Sequence, residues 1–237
     1  MGIPHSPFLI PNSRVCYHLA DAKSKAQDSD LKLPDRGAFF LAVGGEMKGS
    51  NPGLTMLQEI LDEAGMARTV ARMAAEIRER DGDSVMLVGI HTRGVPLADR
   101  LAKALSEVTG YEIPVGRLDI TLYRDDVGPW RPAHQQPVLK KTVLPDSLDD
   151  RVIYLVDDVL FTGRTIRAAL DTLVDYGRPL AVRLAVLIDR GHRELPIAAD
   201  VVGKVLDTTR DEDVQVRFVE VDGEDGVWIG REVDDDN

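Results

Sequence analysis

The sequence is poor in cysteine and in long apolar runs. Its single cysteine, Cys16, cannot form an internal disulfide. No apolar stretch reaches the length of about 18 residues that a membrane-spanning helix needs, and no secretory signal with an apolar centre is recognisable. We therefore expect a soluble, cytoplasmic protein with no membrane contact.

Positive charge is also scarce. The chain has 29 lysine and arginine residues against 40 aspartate and glutamate residues, which gives a formal net charge of -11. Proteins that bind nucleic acid nonspecifically over their whole surface carry an excess of basic residues, which contact the phosphates. The composition therefore argues against general nucleic-acid binding and leaves room only for a local basic patch.

Three regions of the 237-residue chain differ in their pattern. Residues 1–56 mix proline, glycine and serine with short apolar pieces, which predicts a poorly structured N-terminal extension. Residues 57–231 carry regular apolar patterns and predict one folded domain. Residues 232–237 predict a solvated acidic tail.

Apolar runs alternate with helical patterns through the predicted domain. One helix is predicted from apolar residues at helical spacing, namely Ile60, Leu61, Met66, Val70, Met73, Ala74 and Ile77. Further helices are predicted at 95–109 and 165–176, and strands at 85–90, 113–123, 152–156, 181–188, 201–205 and 214–220. This order predicts an α/β fold with a mainly parallel sheet flanked by helices. Ligands of such sheets bind beyond the carboxyl ends of the strands.

The segment 153–165 is the strongest functional signal. Its apolar strand runs directly into Asp157 and Asp158 and then into a turn, Thr162 to Thr165, that opens a helix. Backbone N–H groups and hydroxyls at the start of a helix bind phosphate. Paired carboxylates accept hydrogen bonds from the vicinal hydroxyls of a sugar. Each residue alone could be an ordinary turn or cap, but all of them in this order predict a site for a phosphorylated sugar.

Two other segments fit the same chemistry. The turn 89–94 follows a predicted strand and contains Thr92 and Arg93, whose guanidinium offers a fork of donors to phosphate oxygens. The stretch 124–145 is rich in proline and charge and predicts a long loop that closes over a ligand and excludes water. Arg124 stands at its start.

These motifs resemble the phosphoribosyl pyrophosphate (PRPP) signature of type I phosphoribosyltransferases. The run 156–165, Val-Asp-Asp-Val-Leu-Phe-Thr-Gly-Arg-Thr, is most similar to the PyrR family of pyrimidine-operon attenuation regulators with uracil phosphoribosyltransferase activity. Runs 119–126, 177–179 and 186–196 are also similar, and the resemblance covers roughly residues 60–229. It implies a type I phosphoribosyltransferase fold with a small hood over the base.

The resemblance also implies roles for individual residues. Catalytic roles fall on Arg93, Arg124, Asp157 and Asp158. PRPP and nucleotide binding falls on Thr92, Arg93, Asp157, Asp158, Val159, Leu160, Phe161, Thr162, Gly163, Arg164 and Thr165. The base hood would include Arg190, Val202 and Lys204. The cofactor would be Mg²⁺, held through PRPP with Asp157 and Asp158 as further ligands.

A second function implied by the resemblance is binding of a pyrimidine-operon leader RNA when uridine nucleotides are present. The residues that match the RNA-binding pattern are Arg72, Arg80, His192, Arg193 and Lys204. The chain departs from that pattern at Ala75 and Ala198, where relatives place a histidine and an arginine. Each lost phosphate contact would weaken RNA affinity and flatten its salt dependence.

Two hypotheses therefore stand. The first is an enzyme that makes UMP from uracil and PRPP, and the second is an RNA-binding regulator whose pocket senses nucleotides. Loss of the regulatory role, or a purine in place of uracil, remains an alternative. By the same resemblance we expect a homodimer or a higher homo-oligomer.

Overall fold

The computed structural model describes residues 54–82, 84–121, 141–145 and 147–232. The strands within these ranges are β1 (Leu54–Leu61), β2 (Val85–Ile90), β3 (Val115–Leu118), β4 (Val152–Leu160), β5 (Ala181–Asp189), β6 (Val201–Val205), β7 (Glu212–Arg217) and β8 (Gly226–Glu232). The helices are α1 (Glu63–Asp81), α2 (Gly94–Thr109), α3 (Arg164–Leu173) and α4 (Val219–Asp222). The predicted alternation of strands and helices is confirmed.

Five strands form a parallel sheet in the order β3-β2-β4-β5-β6. Because they are parallel, their carboxyl ends meet at one edge of the sheet. The segments that follow β2, β4 and β5 are therefore neighbours, although they are far apart in sequence. These three segments carry most of the predicted site.

Both faces of this sheet are covered. In β4, Tyr154 and Val156 face α1 and α2, whereas Ile153 and Leu155 face α3. Burial on both faces requires apolar side chains at successive positions, which explains why the central strands are continuous apolar runs rather than alternating ones.

Helix α1 begins later than the apolar pattern predicts. The carboxylate of Asp62 caps it by accepting a hydrogen bond of 2.7 Å from the N–H of Gly65. The prediction that Ile60 and Leu61 belong to this helix is wrong, since both lie in β1. Both are apolar because they pack against the same core as the helix. Their match to the helical spacing is a coincidence.

A second, smaller sheet is antiparallel and has the order β1-β8-β7. Strand β1 begins at Leu54, so the predicted start of the domain at residue 57 falls inside it. The sequence patterns did not predict β1 or β8. In the described part of the chain, no helix has both the length and the apolar composition to cross a membrane.

Two glycines let the turn after β2 fold tightly, and Gly94 also lets it approach β4 closely. A methyl carbon on Gly94 would overlap the carbonyl oxygen of Val156 and would lie 3.2 Å from the Cα of Asp157. One on Gly89 would lie 2.6 Å from the carbonyl oxygen of Gly94. Neither glycine has a positive φ, so close contact rather than an unusual backbone conformation requires them.

Replacing Gly94 with alanine should therefore push the turn away from β4. We expect the free energy of unfolding to fall by about 3 kcal/mol, a value typical of an overpacked core. Gly110→Ala at the other end of α2 is the matched control. Nothing lies within 4 Å of its added methyl group, and the left-handed backbone should cost only about 1 kcal/mol. Urea denaturation of both variants measures the difference, and equal losses would contradict the close-contact argument.

Candidate active site

The turn after β4 ends at Gly163, which has a φ of 93° and precedes the first residue of α3. This left-handed conformation favours glycine and lets the chain enter the helix abruptly. Gly163 offers no side-chain cap to this 10-residue helix, and the N–H of Arg164 makes only a long contact of 3.4 Å to Oγ1 of Thr162. The N–H groups of its first turn therefore suit an anion, and the helix dipole adds to the attraction.

The two acids of the predicted signature lie near the end of β4 in different surroundings. Asp157 is only 6% exposed, and its Oδ1 accepts a hydrogen bond of 3.0 Å from the N–H of Asp158. Asp158 lines a cavity together with Arg93. Burial raises the pKa of Asp158, whereas the hydrogen bond with Asp157 and the charge of Arg93 act in the opposite direction.

Arg93 is the last residue before α2 and forms a forked ion pair with Asp222 of α4. Its Nε lies 3.0 Å from Oδ2 and its Nη2 lies 2.7 Å from Oδ1 of that carboxylate. Asp222 also accepts a hydrogen bond of 3.0 Å from the N–H of Phe218, which fixes its orientation. The hydrogen bond to Asp222 raises the pKa of Arg93, so the guanidinium is held firmly in its charged form.

The cavity between these elements has a volume of about 250 Å³. Arg93 and Asp158 form one side, and the other side is β7 from Asp213 to Arg217. Val214 and Val216 are buried in the core, so Asp213, Gln215 and Arg217 belong to the opposite face of the strand. The site therefore lies between the edge of the large sheet and the small sheet.

The sequence patterns predicted a strand at 214–220, which the structure ends at Arg217 before α4, but they did not predict its place at the cavity or the partner of Arg93. The alternation Asp213-Val214-Gln215-Val216-Arg217 was a usable signal, because a strand with one apolar and one polar face is typical of a half-buried wall. Asp222 had no comparable signal, since nothing local distinguishes it from the other acids near the end of the chain.

The three residues predicted for the base hood lie on two adjacent segments, since Arg190 follows β5 and the other two lie on β6, which pairs with β5. Arg190 is 5% exposed and donates from Nη2 to the carbonyl oxygens of Thr209, at 3.0 Å, and Glu212. Its guanidinium lies 4.2 Å above the ring centre of Phe161, in the turn after β4. Val202 and Lys204 lie on β6, at the edge of the large sheet. The small sheet, rather than β6, covers the cavity.

The predicted RNA-binding residues fall into two groups. Arg72 and Arg80 lie on α1, next to β6 with its exposed Lys204. Arg72 donates to the carbonyl oxygens of Val202, at 3.0 Å, and Gly203, and Arg80 pairs with Asp200 at 2.8 Å. His192 and Arg193 lie after β5 instead.

His192 and Arg193 both contact backbone carbonyl groups. A ring nitrogen of His192 lies 2.6 Å from the carbonyl oxygen of Thr208. Arg193 donates to the turn after β4, at 2.8 Å from the carbonyl oxygen of Phe161. Thr92 is exposed in the turn before α2. Arg124 and the loop that it was predicted to begin lie outside the described residues.

Comparison with known sequences gives one family. The phosphoribosyl transferase domain model matches residues 56–222. The protein named Bifunctional protein PyrR in Clostridioides difficile (strain 630) is 49% identical over 173 residues, which are 72% of this chain and 96% of that protein. Its namesake in Roseiflexus sp. (strain RS-1) is 56% identical over 177 residues, 73% of this chain and 95% of that protein.

Solved structures give the same fold at lower identity. A hypoxanthine phosphoribosyltransferase from Staphylococcus aureus has a TM-score of 0.55 at 19% identity and covers 76% of this chain and 94% of its own. The Trypanosoma cruzi enzyme in complex with the product IMP has a TM-score of 0.54 at 15% identity, covering 74% and 91%. At this identity the likeness establishes the fold and leaves the base open.

The buried acid at the cavity leads to a stability prediction. Because burial raises the pKa of Asp158, the folded protein holds this proton more tightly than the unfolded chain. Below the unfolded carboxyl pKa of about 3.9 the acid is protonated in both states and costs nothing. Above it, ionising the buried group lowers stability. Asp158→Asn should therefore have a higher free energy of unfolding than the unmodified protein at neutral pH.

Urea denaturation at neutral pH and near pH 4 measures this effect, and the difference should shrink at the lower pH. Asp207→Asn is the control, since Asp207 is exposed and lies outside the lining of this cavity. It should change stability little. An Asp158→Asn protein that is less stable than the unmodified chain at neutral pH would show that Asp158 stabilises the fold through its charge.

Proposed function

The chain belongs to the phosphoribosyl transferase family and, within it, to the PyrR proteins, and from this premise we propose that it transfers the phosphoribosyl group of PRPP to uracil. The products are UMP and pyrophosphate. The observation that carries the proposal is the convergence of Arg93 and Asp158 on one cavity, with the turn that opens α3 following the strand that carries Asp158.

Several predictions from sequence are confirmed at this point. They are the PyrR family, the α/β phosphoribosyltransferase fold with its mainly parallel sheet, and the enzyme class of phosphoribosyltransferase. The roles of individual residues remain proposals.

Each part of PRPP has a suitable counterpart. The 5′-phosphate would bind the turn from Phe161 to Thr165, whose backbone N–H groups and hydroxyls lie at the start of α3. The ribose hydroxyls would donate hydrogen bonds to Asp157 and Asp158. Pyrophosphate would lie against the turn that ends in Arg93, whose guanidinium is already oriented by Asp222.

The reaction needs charge stabilisation more than proton transfer. The bond between the anomeric carbon and pyrophosphate breaks as that carbon becomes positively charged, a ring nitrogen of uracil forms the new bond, and the proton of that nitrogen passes to the departing pyrophosphate or to water. Arg93 would stabilise the negative charge that collects on the leaving group. Arg124 is proposed for the same task from the loop that closes over the substrate and excludes water.

The oxygen-rich edge of the cavity fits Mg²⁺ that arrives with PRPP. Magnesium prefers oxygen ligands and usually keeps several waters. The described residues contain no group of three side chains arranged to hold a metal alone, so Asp157 and Asp158 would supplement ligands from the substrate. When bound, the ion would neutralise charge on the pyrophosphate oxygens.

The small sheet is the proposed wall for the base. Strand β7 faces the acids across the cavity and offers Gln215 and main-chain groups as hydrogen-bond partners. Uracil follows from the similarity to the PyrR proteins, whose identity with this chain is far higher than that of the hypoxanthine enzymes. A purine remains the alternative for the base.

The second proposed activity is regulation of pyrimidine genes through nucleotide-dependent binding of a leader RNA. Arg72, Arg80 and Lys204 would supply the phosphate contacts, since they lie on α1 and the adjacent β6. Ala75 and Ala198 are both exposed and would each leave one contact unmade. The alternative is an enzyme in which RNA regulation is weakened or lost.

Four broader expectations belong to this proposal. The protein would act in the cytoplasm and assemble as a homodimer or higher homo-oligomer. Residues 1–56 would be an extension that catalysis does not require. The folded domain of residues 57–231 would carry both activities.

Replacing both Asp157 and Asp158 with asparagine should lower UMP formation from uracil and PRPP by about a thousandfold, because the ribose loses two charged acceptors in a site where charge stabilisation dominates. Asp171→Asn, on the exposed side of α3, is the matched control and should keep full activity. Steady-state kinetics of the three proteins measures the effect. Normal turnover by the double variant would remove the site assignment.

The regulatory activity is tested by filter binding to a pyrimidine-operon leader hairpin with and without UMP. We expect binding that depends on UMP, and the Ala75→His, Ala198→Arg double variant should bind more tightly. It should also steepen the slope of log affinity against log salt by about 1 for the contact that the arginine adds. Weak binding that depends neither on UMP nor on the RNA sequence would contradict the regulatory activity.

A further inference from the structure

Three successive carbonyl oxygens in the turn after β4 point to the same neighbouring segment. The oxygen of Leu160 accepts from the N–H of Arg190 at 3.1 Å, and that of Thr162 accepts from Glu194 and Leu195 at 3.0 and 3.2 Å. The oxygen of Phe161 accepts from Nη1 of Arg193 at 2.8 Å. Residues 190–195 therefore form a backing for this turn.

This backing sets the direction of the N–H groups in the turn. In a trans peptide, the carbonyl group and the following N–H point in opposite directions. With the carbonyls of Leu160, Phe161 and Thr162 turned towards the backing, the next three N–H groups, those of 161–163, face the other side. Consecutive N–H groups on one side make a concave anion site, and the start of α3 adjoins it.

Arg193 is the side chain that holds the middle of this arrangement. Its Nη1 also lies 3.3 Å from the carbonyl oxygen of Leu160 and 2.8 Å from that of Gly191. Its Nε donates to the carbonyl oxygen of Ile197 at 3.1 Å, and its Nη2 pairs with Asp189 at 2.5 Å. All three nitrogens of the guanidinium are thus engaged inside the protein.

We propose that Arg193 is the positioning residue of the phosphate-binding turn: it holds the carbonyl groups of the turn so that the opposite N–H groups meet the 5′-phosphate. This inference rests on the proposed function, since it takes the turn to be the PRPP phosphate site. Arginine suits the task because its planar fork reaches several carbonyl oxygens at once, whereas lysine is a single point of charge.

The test compares three variants of the full chain. Arg193→Gln removes the clamp and the charge, and Arg193→Lys keeps the charge but not the fork. Arg210→Gln is the matched control, since it removes a positive charge close to the same segment, 4.0 Å from Glu194, on a side chain that is 68% exposed. It should leave the kinetics unchanged.

The readouts separate the 5′-phosphate site from the rest of the active site. In Arg193→Gln we expect the KM for PRPP and the inhibition constant of UMP to rise about tenfold, the value of one lost charged hydrogen bond. The KM for uracil and the inhibition constant of pyrophosphate should change less than about twofold, because both bind elsewhere. Arg193→Lys should lie between Arg193→Gln and the unmodified chain.

General damage to the fold would give a different pattern. It would lower kcat in proportion to the lost active protein and leave every KM unchanged. That pattern, or equal shifts for UMP and pyrophosphate, would overturn the positioning role. If Arg193→Gln does not fold, Arg193→Lys decides by the same ratios. Unmodified protein that makes no UMP from uracil and PRPP would instead refute the proposed function.

Discussion

The contact between the turn after β2 and the backbone of β4 decides where the charged groups of the site can lie. Any Cβ at Gly94 would overlap the carbonyl oxygen of Val156, and a Cβ at Gly89 would lie 2.6 Å from the carbonyl oxygen of Gly94. This closeness brings Arg93, the residue before Gly94, to the same cavity as Asp158, two residues after Val156. Backbone packing thus precedes and permits the electrostatic arrangement.

The charges of the cavity are balanced across two sheets. Arg93 pairs with Asp222 from the small sheet region while its charge also acts on Asp158 from the large sheet. Arg100 lies two turns further along α2. It forms ion pairs with Glu220 of α4 and with Asp225, which follows α4. Arg93 and Arg100 therefore both connect α2 to the α4 region. Of these two, only Arg93, at the N-terminus of α2, lines the cavity. The arrangement anchors the small sheet over the cavity, where Asp158 is half-buried.

A feature of this fold was predictable from the sequence when the residues that cause it lie close together in the chain. The parallel sheet was predictable because burial on both faces leaves continuous apolar runs at β2, β4 and β5. The turn before α3 was predictable because one contiguous segment carries it. The small sheet was not, since β1 and β8 pair the two ends of the described chain and the spacing of Ile60 and Leu61 also fits a helix. The partner of Arg93 is equally distant, because Asp222 acquires its role only when α4 docks on α2.

The number of basic residues also overstates the positive charge that a nucleic acid would contact. Side chains of Arg72 and Arg80 are 52% and 40% exposed although each contacts β6 or Asp200, so both still present charge to solvent. Arg193 is 22% exposed and its guanidinium contacts the backbone of the turn after β4, so it presents less charge to solvent than Arg72 or Arg80. That backing continues through Ala198 into β6, where Lys204 lies. One continuous segment, residues 190–205, therefore joins the turn after β4 to the exposed Lys204.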